Sequence, residues 1–315
     1  MENLFFSAGI SEKEISHKII PVVDRKYFPI AKELIQTAKE SIYVSMYVVK
    51  GGKKVHDLIK QLRKAANKGI KIRILLGKEE DCQLAISPLR DLKNIEIKSG
   101  SAIKTIHNKI IIADKKIILI GSTNWTEKSL GYANEANVII NNKEIAEYFQ
   151  KYLNYLWKDP SKDISPFKNF EGEIIPLIDR QYFHTVKEMM EKSTERIYVM
   201  VYGFGLSKAG NILADEIVKA RKRGVETRVL LDNEPRINSN TIQYFKKNYV
   251  EARFNKKGVT THSKVVIIDD AVILGATNWS CEILQKWHNT DILIKEKGIV
   301  EFFMNYFEEK FSSGR

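Results

Sequence analysis

Two histidines, each followed two residues later by a lysine, hold the residue types in this sequence most suited to chemistry. They occur in Ile106-His107-Asn108-Lys109 and in Thr261-His262-Ser263-Lys264. Four apolar residues and an aspartate follow each pair, Asp114 in one case and Asp269 in the other, giving H-x-K-x(4)-D twice. Gly121-Ser122-Thr123-Asn124 and Gly275-Ala276-Thr277-Asn278 then place an asparagine after each motif. Attack on a phosphodiester needs a nucleophile, a proton donor for the leaving oxygen and positive groups around the non-bridging oxygens. Two histidines can share the first two tasks if one is neutral and the other protonated near pH 7. Lys109 and Lys264 supply charge, the amides of Asn124 and Asn278 supply neutral donors, and Ser122 adds one more. With cations provided by side chains, and with no H-x-E or H-E-x-x-H spacing, neither a metal nor another cofactor is expected.

A single pair of this kind would read as a surface histidine beside a snorkelling lysine. Its recurrence with matched glycine and asparagine makes that reading untenable, and the recurrence extends along the chain. Ile19-Ile20-Pro21-Val22-Val23-Asp24-Arg25 returns as Ile174-Ile175-Pro176-Leu177-Ile178-Asp179-Arg180, a shift of 155 residues. Ile42-Tyr43-Val44 and Ile197-Tyr198-Val199, Gly69 and Gly224, and His107 and His262 keep the same shift. Two copies of one structural unit follow. We expect a first repeat over 1–160, a linker over 161–172 containing Pro166, and a second repeat over 173–315.

The elements that must position the motifs run in the same order in both copies. A helix (about 26–40 and 181–195) leads into an apolar, β-rich run (42–49 and 197–202). A basic amphipathic helix follows, stopped by Gly69 and Gly224. A second apolar strand (70–76 and 225–231) precedes the motif, which reads as a hairpin turning at Asp114 or Asp269. On a strand, His107 and Lys109 share a face, and parity turns the two aspartates away, which gives them a structural role. Strands apolar on both faces, alternating with helices, point to an α/β fold with a covered sheet.

The duplicated H-x-K-x(4)-D followed by G-S/G-x-N resembles the phospholipase D superfamily, over nearly the whole chain. The resemblance implies two similar α-β-α sandwich lobes related by a pseudo-two-fold axis, with the active site at the lobe interface. It also implies metal-independent phosphodiester chemistry through a phosphohistidine, with His107 as nucleophile and His262 as general acid, or the reverse. An acid after the asparagine hydrogen-bonds a catalytic histidine in the family; Glu135 fits that place and is expected to serve His107. The second half has Asn289 there, which could orient His262, and Asp291 two residues on could substitute for the acid.

The substrate is less determined. The net charge of +12 favours polyanions, and no run of apolar residues is long enough for a membrane span. The N-terminal residues carry no export signal, and Cys82 and Cys281 suit neither a disulfide framework nor a metal site, which points to the cytoplasm. We therefore expect a nuclease acting on single-stranded DNA or RNA. Cardiolipin synthases rank below it, since those usually carry N-terminal membrane helices. A phospholipase D or phosphatidyl transferase acting on phospholipid is the alternative, and a non-catalytic nucleic-acid-binding module a second. Lys104, Lys256 and Lys257 would enrich the mouth of the site with positive charge. Trp125 and Trp279, next to the asparagines, are candidates for substrate stacking or for the core, and Tyr27, Phe28, Tyr182 and Phe183 for the core. A chain with both motifs can complete its site as a monomer, with dimers open.

Overall fold

The computed structural model describes residues 19–77, 80, 82–100, 104–161 and 170–315. Contacts divide the chain into two units: Met1–Tyr132 with Asn137–Asn169, and Ala133–Ala136 with Phe170–Arg315. The expected linker, 161–172, falls mostly outside the described residues.

The first unit runs β1 (Ile19–Val23), α1 (Tyr27–Thr37), β2 (Ser41–Met46), the two-residue β3 (Val49–Lys50), α2 (Lys53–Asn67), β4 (Lys71–Leu76), the short α3 (Gln83–Ile86) and β5 (Ile95–Ser99). It continues through the hairpin of β6 (Lys109–Ala113) and β7 (Ile117–Gly121), then β8 (Trp125–Thr126), α4 (Glu127–Gly131), β9 (Ala136–Asn141) and α5 (Lys143–Lys158). Its main sheet has seven strands in the order β1-β9-β7-β6-β2-β4-β5. The second unit repeats this plan with β10 (Ile174–Ile178), α6 (Arg180–Lys192), β11 (Arg196–Val201), α7 (Lys208–Lys222), β12 (Glu226–Leu231), α8 (Ile237–Lys247) and β13 (Glu251–Phe254). The hairpin of β14 (Lys264–Ile268) and β15 (Ala271–Gly275) follows, then α9 (Cys281–Gln285), β16 (Thr290–Ile294) and α10 (Lys297–Ser312). Its sheet order is β10-β16-β15-β14-β11-β12-β13. In each sheet three strands run parallel and the motif hairpin adds antiparallel neighbours, so the α/β expectation holds.

Continuous apolar runs form these strands because both faces are covered. In the first unit Val44, Met46, Ile74 and Leu76 pack with Leu34 of α1 and with Leu58 and Leu62 of α2. On the other face Tyr43 donates to the Leu153 carbonyl of α5 at 3.2 Å and meets the Trp157 ring edge-on. In the second unit Val199, Val201 and Val229 pack with Val186 and Leu213, while Tyr198 stacks on Phe307 of α10. Both basic helices stop where expected: Gly69 and Gly224 have φ of +91° and +93°, open to glycine at low cost.

The motif aspartates hold the hairpins to the sheets. Asp114 (φ +50°) accepts from the backbone N–H groups of Lys39, Glu40 and Ser41 at 2.9, 2.7 and 3.0 Å. Asp269 (φ +47°) accepts from Thr194, Glu195 and Arg196 at 3.1, 2.9 and 3.0 Å. Each carboxylate ties a turn to the first residue of β2 or β11, the strand that pairs with the motif strand. Charge-assisted bonds of this kind contribute about 1.5–3 kcal/mol each at most. Asp269→Ala is therefore expected to lower stability by about 2–4 kcal/mol in urea unfolding, while Asp270→Ala stays within about 0.5 kcal/mol. Equal midpoints for the two variants would contradict the assignment.

Candidate active site

The structure starts β6 at Lys109 and β14 at Lys264, so each histidine lies just before its strand and not on it. The expected alternation nevertheless survives. Asn108 and Ser263, between histidine and lysine, turn the other way: Asn108 donates to Ser45 Oγ at 3.3 Å, and Ser263 meets the Tyr306 hydroxyl at 3.3 Å.

Within the first unit, His107 packs against Tyr47 with ring centroids 4.6 Å apart. Lys109 Nζ donates back to the His107 carbonyl at 2.5 Å and lies 4.9 Å from the Tyr47 ring centroid. The second unit repeats the cluster with Tyr202: 5.0 Å to His262, 2.5 Å from Lys264 Nζ to the His262 carbonyl, and 5.5 Å from that ammonium to the ring. Tyr47 and Tyr202 were missed in the sequence, although the shift of 155 that pairs them was a usable signal. They supply a π face for a lysine that has left water.

Asn124 and Asn278 are each 8% exposed, and their side-chain oxygens have no hydrogen-bond partner among the described residues. Buried amides are normally satisfied, so the same orphan at the same motif position in each unit sets these two residues apart. The loops carrying them are fixed from β9 and β16. Asn137 accepts from Thr123 N–H at 3.2 Å and donates to its hydroxyl at 2.9 Å. Asp291, its counterpart, accepts from Thr277 N–H at 3.0 Å and from its hydroxyl at 2.6 Å. Asp291, expected as a partner for His262, thus braces the asparagine loop. A Cβ at Gly275 would fall 2.3 Å from Asp291 Oδ1, which explains the glycine in the motif.

Glu135 brings a larger correction. It was expected to serve His107 but lies against His262: each carboxylate oxygen is 3.0 Å from Nδ1, and Glu135 is fully buried. The reason is the path of the chain after α4. Residues 133–136 belong to the second unit, where Asn134 forms a parallel bridge with Thr261. Asn134 N–H donates to the Thr260 carbonyl at 2.8 Å, and His262 N–H donates to the Asn134 carbonyl at 2.9 Å. Sequence order gave Glu135 to the nearer histidine; backbone pairing delivers it to the distant one. The Asn289 amide nitrogen donates to the carbonyls of Ile283 and Trp287 at 2.9 and 3.1 Å.

Another acid was invisible to the repeat comparison. Asp232, fully buried, accepts from Thr261 N–H at 2.6 Å, from the Asn255 amide at 2.7 Å and from Glu234 N–H at 2.8 Å. It fixes the residue preceding His262. The same position in the first repeat is Gly77 (232 − 155 = 77), so the shift that revealed the duplication conceals this residue. Burial lowers Lys264 from its ordinary 10.5 to about 7, and the charges of Glu135, Asp232 and Asp291 oppose that fall.

The remaining candidates are placed as follows. Ser122 and Ala276, which takes its position in the second half, are both buried. Lys104 is half-buried, while Lys256 and Lys257 are exposed in the turn between β13 and Thr261. Trp125 and Trp279 are corrected from substrate contact to core: they are 1% and 0% exposed, and their indole N–H groups donate to Tyr27 and Tyr182 at 3.2 and 2.8 Å. Tyr27 and Tyr182 are buried with them, while Phe28 and Phe183 pack against the cores partly covered.

With this geometry in hand, comparison with known proteins is decisive for the family. The family model described as "Cardiolipin synthase, PLD-like domain" matches residues 31–157 and again 186–311. The chain belongs to this PLD-like family. Cardiolipin synthase B of Escherichia coli K12 is 29% identical over 137 residues, 42% of this chain and 32% of that protein. Phospholipase D of Rickettsia felis is 34% identical over 123 residues, 38% of this chain and 59% of that protein. The matched region thus spans about a third to three fifths of these curated relatives. Among solved structures, phosphatidylserine synthase of Haemophilus influenzae superposes with a TM-score of 0.76 at 13% identity, covering 93% of this chain and 86% of that one. Polyphosphate kinase of Porphyromonas gingivalis gives 0.72 at 13% identity, covering 98% and 49%. These two likenesses concern the fold alone, which hosts differently named activities.

These PLD-like relatives overturn the expected nuclease. Both curated relatives named above are lipid enzymes by name, and the family model carries the name of the very synthase that was ranked below a nuclease. The basic charge was the misleading signal, because anionic surfaces of more than one kind attract lysine. Among the described residues no helix is long and apolar enough to cross a membrane.

Lys264 provides a test of the site that needs no substrate. Folded, it loses its proton near pH 7; unfolded, it keeps it to about 10.5. Between those values unfolding takes up a proton, so stability rises with pH, and below about 7 this contribution to the slope disappears. Urea midpoints of the parent chain and of Lys264→Met, compared from pH 6 to about pH 10, are expected to differ by an amount that grows in the parent's favour with pH. Parallel curves would contradict the burial of an uncharged lysine.

Proposed function

We propose that this chain cleaves or transfers the phosphodiester of a phospholipid through a covalent phosphohistidine. The observation that carries the reading is the buried Glu135–His262 pair beside Lys264. The lipid substrate is supported by the curated relatives, which are a cardiolipin synthase and a phospholipase D.

The roles follow from charge. A buried carboxylate at Nδ1 fixes the tautomer of His262 and favours its imidazolium form, which suits a group that must hold a proton for the leaving alcohol. His107 is then the nucleophile, attacking phosphorus with a ring nitrogen while the P–O bond to the leaving alcohol breaks and His262 passes its proton to that oxygen. In the second half-reaction His262, now neutral, takes a proton from water or from an acceptor alcohol. The oxygen so freed attacks phosphorus, breaks the P–N bond and restores His107. Water gives hydrolysis and an alcohol gives transfer. Lys109 and Lys264 stabilise charge on the non-bridging oxygens, with Asn124 and Asn278 as neutral donors. A lysine poised near pH 7 can regain its proton as the anion arrives, so its charge appears where the phosphate needs it.

The test is an assay on labelled phosphatidylcholine and phosphatidylglycerol vesicles, with and without added glycerol, against labelled nucleic acid as control. Head-group release or transfer to glycerol is expected, and His107→Ala and His262→Ala should each reduce it by about 10³-fold or more. Glu135→Gln should reduce it by about 10²-fold and shift the pH profile, because the imidazolium loses its counter-charge. Cleavage of nucleic acid with no turnover of lipid, or undiminished turnover in either histidine variant, would refute the reading.

A further inference from the structure

The first unit contains a cavity of about 400 Å³ that the chemistry above does not use. It lies at the far end of the sheet from His107 and Lys109, beside the hairpin turn. Met46 of β2 pairs with Lys109, whereas Ser41, at the other end of the same strand, pairs with Lys71 beside the cavity. Five residue steps of strand, about 16 Å, separate the two.

The lining is strongly cationic. Lys71, Lys93, Lys115 and Arg73 contribute to it, with Glu96 as the one acid among the residues that line it. Arg73 is already engaged, with Glu96 at 3.3 Å and the Asn154 side chain at 3.3 Å. None of the three lysines pairs with a carboxylate among the described residues. Gln150, from the covering helix α5, adds an amide, and Tyr43 and Ile112 add apolar wall.

The duplicated fold supplies an internal control. At the same place in the second unit Arg228, the counterpart of Arg73, is bound by three carboxylates: Glu226 at 2.6 Å, Glu251 at 3.6 Å and Glu308 at 2.5 Å. Two of those acids have no acidic counterpart in the first unit. Glu226 corresponds to Lys71 (226 − 155 = 71), and Glu308 to Asn154 under the shift of 154 that follows the second motif. The fold can therefore neutralise this place from within, and the first unit does the opposite. Like charges gathered around a concave surface raise the local concentration of anions, and lysine serves phosphate as a point charge.

We propose that this cavity binds a phosphate-bearing anion at a site separate from His107 and Lys109, held by Lys71, Lys93 and Lys115. A free phosphate and the head group of an anionic lipid share the chemistry that these residues recognise. The proposal does not rest on the catalytic reading.

Binding of labelled orthophosphate by equilibrium dialysis, and co-sedimentation with vesicles of phosphatidylglycerol in phosphatidylcholine, distinguish the sources. The variant is Lys71→Glu with Lys115→Glu, both exposed and therefore tolerable to the fold. Its control is Lys208→Glu with Lys246→Glu, exposed lysines of the second unit with the same change in charge. Loss of one phosphate equivalent per chain in the variant but not the control supports the site with free phosphate as ligand. A drop in vesicle affinity of about tenfold or more beyond the control supports it with a lipid head group. Phosphate stoichiometry and vesicle affinity both equal to those of the control would overturn it.

Discussion

A carboxylate sealed from water against an imidazole is the interaction around which the second unit is organised. Glu135 has no solvent to stabilise its charge, and an unpaired buried carboxylate costs several kcal/mol. The Nδ1 of His262, 3.0 Å away, is its partner. Three further observations follow from that pair. The segment carrying Glu135 must run beside Thr261, which the Asn134 backbone enforces. Thr261 must in turn be held, which Asp232 does through its N–H. Lys264, two residues on, enters a neighbourhood of acids that offsets part of its desolvation.

The two units share a scaffold and differ in their electrostatics. Both set histidine edge-to-face with a tyrosine and lysine over the tyrosine ring, and both leave an asparagine oxygen unsatisfied. In the second unit, however, Asp232 and Asp291 stand where the first has Gly77 and Asn137. Identical side chains in unlike fields titrate differently, and the proposed division of labour between the two histidines uses such a difference. The same divergence appears at the far end of the sheets, where acids surround Arg228 and lysines gather near Arg73.

Much of this was legible in the sequence because duplication doubles every signal. The motif hairpins, the glycine stops at Gly69 and Gly224, the structural aspartates and the asparagines could all be read by aligning one half with the other. What failed did so for physical reasons. Glu135 was assigned to the nearer histidine because sequence distance says nothing about which strand a segment will pair with. Asp291 was offered to His262 on face parity, yet its carboxylate is taken by Thr277, the residue before Asn278. Trp125 and Trp279 each have an indole N–H that invites a polar partner, and buried tyrosine hydroxyls, themselves paired by the repeat, provide it. Asp232 could not be found by self-comparison, since it is what the halves do not share. The substrate class was misjudged from bulk charge, a property of the whole surface and not of the site.

The lodging of residues 133–136 in the second unit also bears on where this chain can be divided. A cut in the region joining the repeats would look natural from the sequence, with one motif on either side. The downstream piece would then retain His262 but not the carboxylate at its Nδ1, and the Thr261 edge would lose its bridging backbone. The boundary between the repeats in sequence is thus not the boundary between self-sufficient bodies: the second half borrows four residues from the first, and the carboxylate at His262 comes with them.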